Sequence, residues 1–225
     1  MSSSKVPKQQ LLEQLAQFAQ AFASGARLEI LDFLAQGDRS VDALARVAGL
    51  SIANTSKHLQ QLKALGLVEA RRAGKQVFYQ LADDRVLDVI AGLRALAESQ
   101  SDAVGALVRS YLFARDELEP VGPAELLALA SDGLVTVLDV RPAEEYVQGH
   151  IPGALNVPLD NLKSRLRSLP ANQEVIAYCR GPWCVLSFEA VRMLRKAGFT
   201  ARRLQDGLPE WRRAGHPMAM ASGVG

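Results

Sequence analysis

Cys179 and Cys184 are the two cysteines of this 225-residue chain, and they bracket a single loop, Cys-Arg-Gly-Pro-Trp-Cys. An apolar run, Val175 to Tyr178, leads into the first thiol, and a helical pattern starts directly after the second. A cysteine at a strand end, in a loop that enters a helix, meets backbone N–H groups and the positive end of the helix dipole. Both favour thiolate over thiol, and Arg180 adds a cation, so Cys179 is expected to be acidic and nucleophilic. Cys184 lies at the far edge of the loop and is expected to act as resolving thiol. The candidate catalytic set is therefore Cys179, Cys184 and Arg180. The alternative of two buried structural cysteines fits less well, because Gly181 and Pro182 make this a shaped loop rather than a core strand.

A second group of residues suggests a different chemistry. Between Asn54 and Lys75, five basic residues (Lys57, Lys63, Arg71, Arg72 and Lys75) face one acid, Glu69. A local basic patch on a near-neutral chain is a nucleic-acid footprint, or else a solvated helix face. The segment around it reads as helix, turn, helix and hairpin. Ser40 caps the helical pattern 41–48, Gly49-Leu50 is a turn, and Ser51 caps 52–65, which Gly66 stops. In that second helix Ile52, Thr55, Leu59, Leu62 and Leu65 form the inward stripe, and polar residues occupy the other face. Strands at 67–71 and 76–81 follow, joined by the turn Arg-Ala-Gly-Lys. This order is that of a winged helix, whose second helix enters the major groove while its hairpin meets the backbone or minor groove. The candidate DNA contacts are Ser51, Asn54, Thr55, Ser56, Lys57, His58 and Gln61 on the helix, with Arg71, Arg72 and Lys75 in the wing. Small polar groups and amides suit base edges, and the cations suit phosphates.

The remaining elements must position these two groups. Residues 9–35 read as helix with a break at Gly25. A long helical stretch runs from Asp83 or Asp84 to about Arg115, broken near Gln100–Ser101, with an apolar stripe (Val86 to Leu112) too long for one small domain to cover. That stripe calls for a partner helix. The two prolines of 116–123 mark a domain boundary. Beyond it, strands at 134–140, 154–158, 174–179 and 200–204 alternate with helices at 123–131, 143–147, 159–168 and 185–197, the pattern of an α/β domain with a mostly parallel sheet. The expected domains are 1–117 and 118–225.

Composition is globular, 48% hydrophobic and 22% charged, and the formal net charge is +2. There is no apolar run long enough to span a membrane and the start is polar, so the expectation is a cytoplasmic protein with no membrane partner. Two thiols in a reducing compartment do chemistry rather than staple a fold.

Two resemblances sharpen this reading. Residues of about 10–98, above all "SKHLQQLKALGLV" followed by "RRAGKQVFYQL", resemble the arsenic-repressor (ArsR) family of winged-helix regulators. That resemblance implies a homodimer on an inverted-repeat operator in double-stranded DNA. Metal sensing built within the first domain is disfavoured: residues 1–119 contain no cysteine and one histidine, His58. Thus no metal site and no cofactor are assigned. Residues 121–218 resemble a rhodanese domain through "VLDVRPAEEYVQGHIPGALNVPL", "VIAYCRGPWC" and "LQDGLPEWRRAGHPM". This resemblance implies a doubly wound α/β fold in which Cys179 carries sulfane sulfur as a persulfide. Asp139, Arg141, Glu145, His150, Gly153, Asp206, Gly207 and Trp211 then belong to the scaffold. Where the commonest sulfurtransferase loop has a basic residue and then Ser or Thr, this chain has Trp183 and Cys184, which suits a neutral or polysulfide donor better than thiosulfate. Val185, standing where rhodanese-like phosphatases keep an arginine, argues against phosphoryl chemistry.

The combined expectation is a DNA-binding regulator, most simply a repressor, whose rhodanese domain senses or processes reactive sulfur through a Cys179 persulfide and a Cys179–Cys184 bridge. Two alternatives stand beside it. One is a thiosulfate or polysulfide sulfurtransferase with an accessory DNA-binding domain, and the other is an arsenite or soft-metal sensor using the two thiolates.

Overall fold

The computed structural model describes residues 5–112 and 119–220. They fall into two compact units, Met1–Gly92 and Leu93–Gly225. The boundary expected at 117/118 lies outside the described residues, within 113–118.

In the first unit, α1 (Lys5–Ala19) and a 3-10 turn (Gln20–Phe22) precede α2 (Gly25–Leu34), which opens at the expected glycine. A two-residue strand β1 (Arg39–Ser40) leads into α3 (Val41–Val47), where Ser40 Oγ accepts from the Ala43 amide at 3.2 Å. α4 (Ile52–Ala64) is capped in the same way, Ser51 Oγ accepting from the Asn54 amide at 3.2 Å. Each cap satisfies one of the amides that a helix start leaves without an intrahelical partner. Gly66, at φ +70°, ends the helix in the left-handed region where a side chain would be strained.

The hairpin is tighter than its sequence suggests. β2 (Val68–Ala73) and β3 (Gln76–Leu81) pair antiparallel from Val68↔Leu81 to Ala73↔Gln76. Only Gly74 and Lys75 remain for the turn, so Arg72 and Ala73 belong to the ladder. A two-residue hairpin turn needs positive φ, which Gly74 supplies. β1 joins the far side of β3 to give the order β1-β3-β2. The core combines Ile30, Leu31 and Leu34 of α2 with Leu44, Leu59, Leu62, Val68, Val86 and Ile90.

The long helical stretch is α5 (Arg85–Gln100) followed by α6 (Asp102–Tyr111). Ser101 breaks it as a cap, its Oγ accepting from the Val104 amide.

The second unit is α/β. α7 (Pro123–Ser131), β4 (Val135–Asp139), α8 (Ala143–Gln148), β5 (Leu155–Asn156), α9 (Leu159–Arg165), β6 (Glu174–Tyr178), α10 (Val185–Lys196), β7 (Ala201–Arg203) and α11 (Leu208–Arg213) follow in order. The strands form a parallel sheet, β5-β4-β6-β7. Strand residues alternate between its faces. Leu138, Val175, Ala177 and Cys179 pack with Leu162, Val191 and Leu194 of α9 and α10. Val137, Ile176 and Tyr178 pack with Leu126, Leu208 and Trp211 of α7 and α11. A parallel sheet covered on both faces is the expected doubly wound arrangement, so the fold class holds. Among the described residues no helix is long and apolar enough to cross a membrane.

Candidate thiol site and DNA-facing elements

β6 hands the chain to the loop at the carboxyl edge of the sheet, and Cys179 is its first residue. Its side chain is buried on the α9–α10 face, only 2% of the residue being exposed. The loop is held from behind: the Leu208 amide donates to the Cys179 carbonyl at 3.2 Å, and Cys184 N–H closes a turn onto the Gly181 carbonyl at 3.0 Å. Gly207 makes this possible. A Cβ there would stand 2.3 Å from the carbonyl carbon of Arg180 and from the amide nitrogen of Gly181, so only glycine lets the two backbones meet.

Cys184 is the N-cap of α10, and Ser187 is the third residue of that helix. Cys179 Sγ lies 3.3 Å from Ser187 Oγ and 3.4 Å from the Cys184 carbonyl oxygen. The carbonyl accepts from the neutral thiol, whereas the thiolate accepts from the Ser187 hydroxyl. Burial pushes the Cys179 pKa up. Against it act the Cys184 thiol, the Ser187 hydroxyl and the backbone amides of Ser187 and Gly181, and they prevail, bringing the thiol down to about 7. These donors stand at the start of α10, so the helix dipole acts in the same direction. Cys184 moves the opposite way. The neighbouring Cys179, followed by burial, raises its pKa far above the usual thiol range. Of the two, Cys179 is thus the more acidic thiol. Both are free thiols.

Arg180 is tied to the scaffold, while its charge also acts on Cys184 and Cys179. Its Nη2 lies 2.8 Å and its Nε 3.1 Å from the carboxylate of Glu145, which is fully buried. Glu145 thus takes the larger share of its charge, and the strongest groups acting on Cys179 are those named above. Ser187 was missed from the sequence, although its spacing of three residues from a capping position is a visible signal.

The other signature residues support the sheet ends. Arg141 and Asp139 form a fully buried pair at 2.6 Å, and Tyr178 donates its hydroxyl to Asp139 at 2.6 Å. Arg141 also donates to the Gly149 carbonyl, and Asn156 donates to the carbonyls of Asp139 and Arg141. His150 stacks on Tyr146, and Trp211 Nε1 donates to the Pro217 carbonyl. Among the described residues, no group of three or more His, Cys, Asp or Glu side chains could hold a metal ion.

On the first unit, α4 presents Asn54, Lys57 and Gln61 to solvent, with Ser56 and His58 half-buried. Ser51 is exposed, but its hydroxyl is engaged as the helix cap. Thr55 is a correction: it is fully buried and donates its hydroxyl to the Ser51 carbonyl at 3.0 Å, so it cannot reach DNA. The helical period puts it one residue off the polar face, with Leu59 and Leu62. Gln61 accepts from Arg27 at 3.3 Å. Arg71, Arg72 and Lys75 are exposed on the wing, and Arg71 is steadied by Asp38 at 3.2 Å and by the Phe78 ring.

Comparison with known proteins resolves what this pairing of units is. Residues 24–70 match the bacterial regulatory proteins of the arsR family, and residues 122–214 match the rhodanese-like domain. The HTH-type transcriptional regulator Rv0324 of Mycobacterium tuberculosis is 43% identical over 218 residues, covering 97% of this chain and 96% of that protein. The chain belongs to the ArsR-family regulators that carry a C-terminal rhodanese-like domain. Like other ArsR-family proteins it is a DNA-binding transcriptional regulator. A sulfurtransferase of Allochromatium vinosum is 29% identical over 109 residues, 48% of this chain and 98% of that one. The solved homodimeric winged helix-turn-helix DNA-binding domain Mb0332 (fragment 1–100) of Mycobacterium bovis shares 42% identity, with a TM-score of 0.40, over 44% of this chain and 91% of that one.

Proposed function

We propose that this ArsR-family regulator reads reactive sulfur at Cys179 and releases its operator when Cys179 and Cys184 become bridged. The observation that supports the reading is the placement of Cys179 at the end of β6, its Sγ 3.3 Å from Ser187 Oγ and 3.4 Å from the Cys184 carbonyl oxygen, which makes it the more acidic of two thiols in one loop. The Cys179 thiolate attacks the sulfane sulfur of a persulfide R–S–SH, forming Cys179–S–SH and expelling R–S⁻. Cys184 then attacks the Cys179 sulfur. The Cys179–Cys184 bond forms, the sulfane sulfur leaves with both hydrogens as H2S, and two thiols have been oxidised for one sulfur reduced. Arg180, already paired with Glu145, offers little to a dianion, which favours neutral donors or polysulfides over thiosulfate. The operator is an inverted repeat contacted by a homodimer. Val89, Leu93 and Leu96 of α5, together with Leu107 of α6, leave an apolar surface exposed, and burying it against a second copy removes it from water. The protein acts in the cytoplasm.

The test is fluorescence anisotropy of a labelled operator duplex with and without inorganic polysulfide. Wild type is expected to lose affinity, whereas Cys179→Ser and Cys184→Ser bind but are not released. Wild-type affinity indifferent to polysulfide, with a persulfide still detected on Cys179 by mass spectrometry, would replace the sensor by a sulfurtransferase. Release by arsenite alone would replace it by a soft-metal sensor.

A further inference from the structure

Trp183 sits in the thiol loop, one residue before Cys184, and its side chain is engaged outside the thiol chemistry. Its indole N–H donates to the Glu98 carboxylate on α5. One helical turn earlier, the Arg94 guanidinium lies 5.3 Å from the centre of the Trp183 ring. Arg94 also pairs with Glu210 of α11 at 3.8 Å, and both side chains are about four-fifths buried. The Arg94 and Glu210 head groups flank Gly181, each within 3.7 Å of where a Cβ would stand. Two neighbouring positions of one helix face, i and i+4, thus hold the loop at Gly181 and at Trp183.

The strengths of these contacts differ. The Arg94–Glu210 pair is shielded and fixes the frame. The Trp183–Glu98 bond is exposed, where water competes for both partners, so a change in the loop can break it. Beside the indole lies a cleft of about 240 Å³, lined by Glu98, Val108, Leu112, Pro182 and Phe188 among others, into which it can move. The helix that carries Arg94 and Glu98 begins with Val86, Leu87 and Ile90, all buried, and Val86 and Ile90 belong to the core of the DNA-binding unit. The boundary between the two units, Gly92–Leu93, falls within α5, and Arg94 and Glu98 lie on the second-unit side with the thiol loop.

We infer that Glu98 and Trp183 form the releasable contact through which the state of the thiol loop and the state of the DNA-binding unit are coupled, with Arg94 as its fixed pivot. Closing a bridge between Cys179 and Cys184 pulls the residue between Gly181 and Cys184 that Glu98 holds, so that the indole and Glu98 part. Coupling between sites is reciprocal, so DNA binding must in turn alter the loop. The inference rests on the DNA-binding reading of the first unit and not on sulfur sensing, which allows a test without any sulfur donor.

The full chain is titrated with iodoacetamide from pH 5 to 10, alone and saturated with a duplex selected from a random-sequence library by the same protein. Alkylation of the Cys179 peptide is followed by mass spectrometry. In the wild type the midpoint is expected to move by about 0.7 pH unit on adding DNA, a fivefold change in thiolate content that stands at the low end of ordinary inter-site coupling. Glu98→Ala and Trp183→Phe are expected to lose the shift, and Glu98→Gln, whose amide oxygen still accepts, to keep most of it. Glu98→Ala is expected to bind the duplex within about twofold of wild type, since only the coupling is removed. A wild-type midpoint unmoved by DNA overturns the inference, as does a shift that survives in both Glu98→Ala and Trp183→Phe. Failure of the sulfur reading would leave these results unchanged.

Discussion

Ser187→Ala isolates the cause of the Cys179 acidity. The hydroxyl lies 3.3 Å from Cys179 Sγ, and Ser187 itself is only 4% exposed, so no water replaces the lost donor easily. A hydrogen bond to a charged group contributes about 1.5–3 kcal/mol, and the length of this one argues for the lower end. Since one pKa unit corresponds to about 1.4 kcal/mol, the midpoint should rise by about one unit, from about 7 to about 8. The sign follows from the charge: the hydroxyl stabilises the thiolate more than the thiol, so its removal favours protonation. At pH 7 the thiolate fraction falls from about one half to about one tenth, and the rate of Cys179 alkylation falls about fivefold. Above pH 9.5 the two proteins should react at the same rate. The assay is the pH profile of iodoacetamide labelling, read on the Cys179 peptide. A midpoint within about 0.3 unit of wild type would refute the assignment of Ser187 as a principal donor.

Other perturbations test the scaffold and the DNA face. Gly207→Ala places a Cβ 2.3 Å from backbone of the thiol loop, and should destabilise the second unit by about 3 kcal/mol or displace the loop; urea unfolding together with loss of Cys179 reactivity would show it. Leu93→Glu introduces a charge on the exposed apolar face of α5 and should give monomers that no longer bind the operator, as read by light scattering and gel shift. The Arg71→Ala, Arg72→Ala double substitution should weaken binding with little dependence on sequence and lower the salt slope by about one per lost phosphate contact. An unchanged slope would remove the wing from the interface.

The sequence was most informative where local chemistry decides. Ser40 and Ser51 announce helix starts because a cap needs only its own next three residues. The apolar runs of β4 and β6 announce buried parallel strands, and the thiol loop announces itself through its glycine, proline and two cysteines. What stayed hidden depends on three-dimensional approach. Arg180 looks like a neighbour of Cys179 in the chain, yet Glu145, 35 residues away, is its partner. Ser187 becomes a thiolate donor only because α10 starts by turning back toward the end of β6. β1 is two residues long, too short to show any period, and is defined solely by its pairing with β3. Gly207 is assigned to the scaffold by resemblance, but the reason for it shows only when the backbone of Arg180–Gly181 is placed against it. Thr55 shows how narrow the margin is on α4: one step round the helix separates a candidate base contact from the core.

The placement of both free thiols in one loop has a consequence for how often the proposed sulfur chemistry can run. In that chemistry Cys184 closes the ring on Cys179, so a single event consumes the resolving thiol together with the nucleophile. No second equivalent of sulfur can then be captured until a cellular reductant opens the ring and returns both thiols. On the proposed function such a site would count to one, and the duration of its signal would be set by the supply of reducing thiols rather than by the persistence of the sulfur that triggered it.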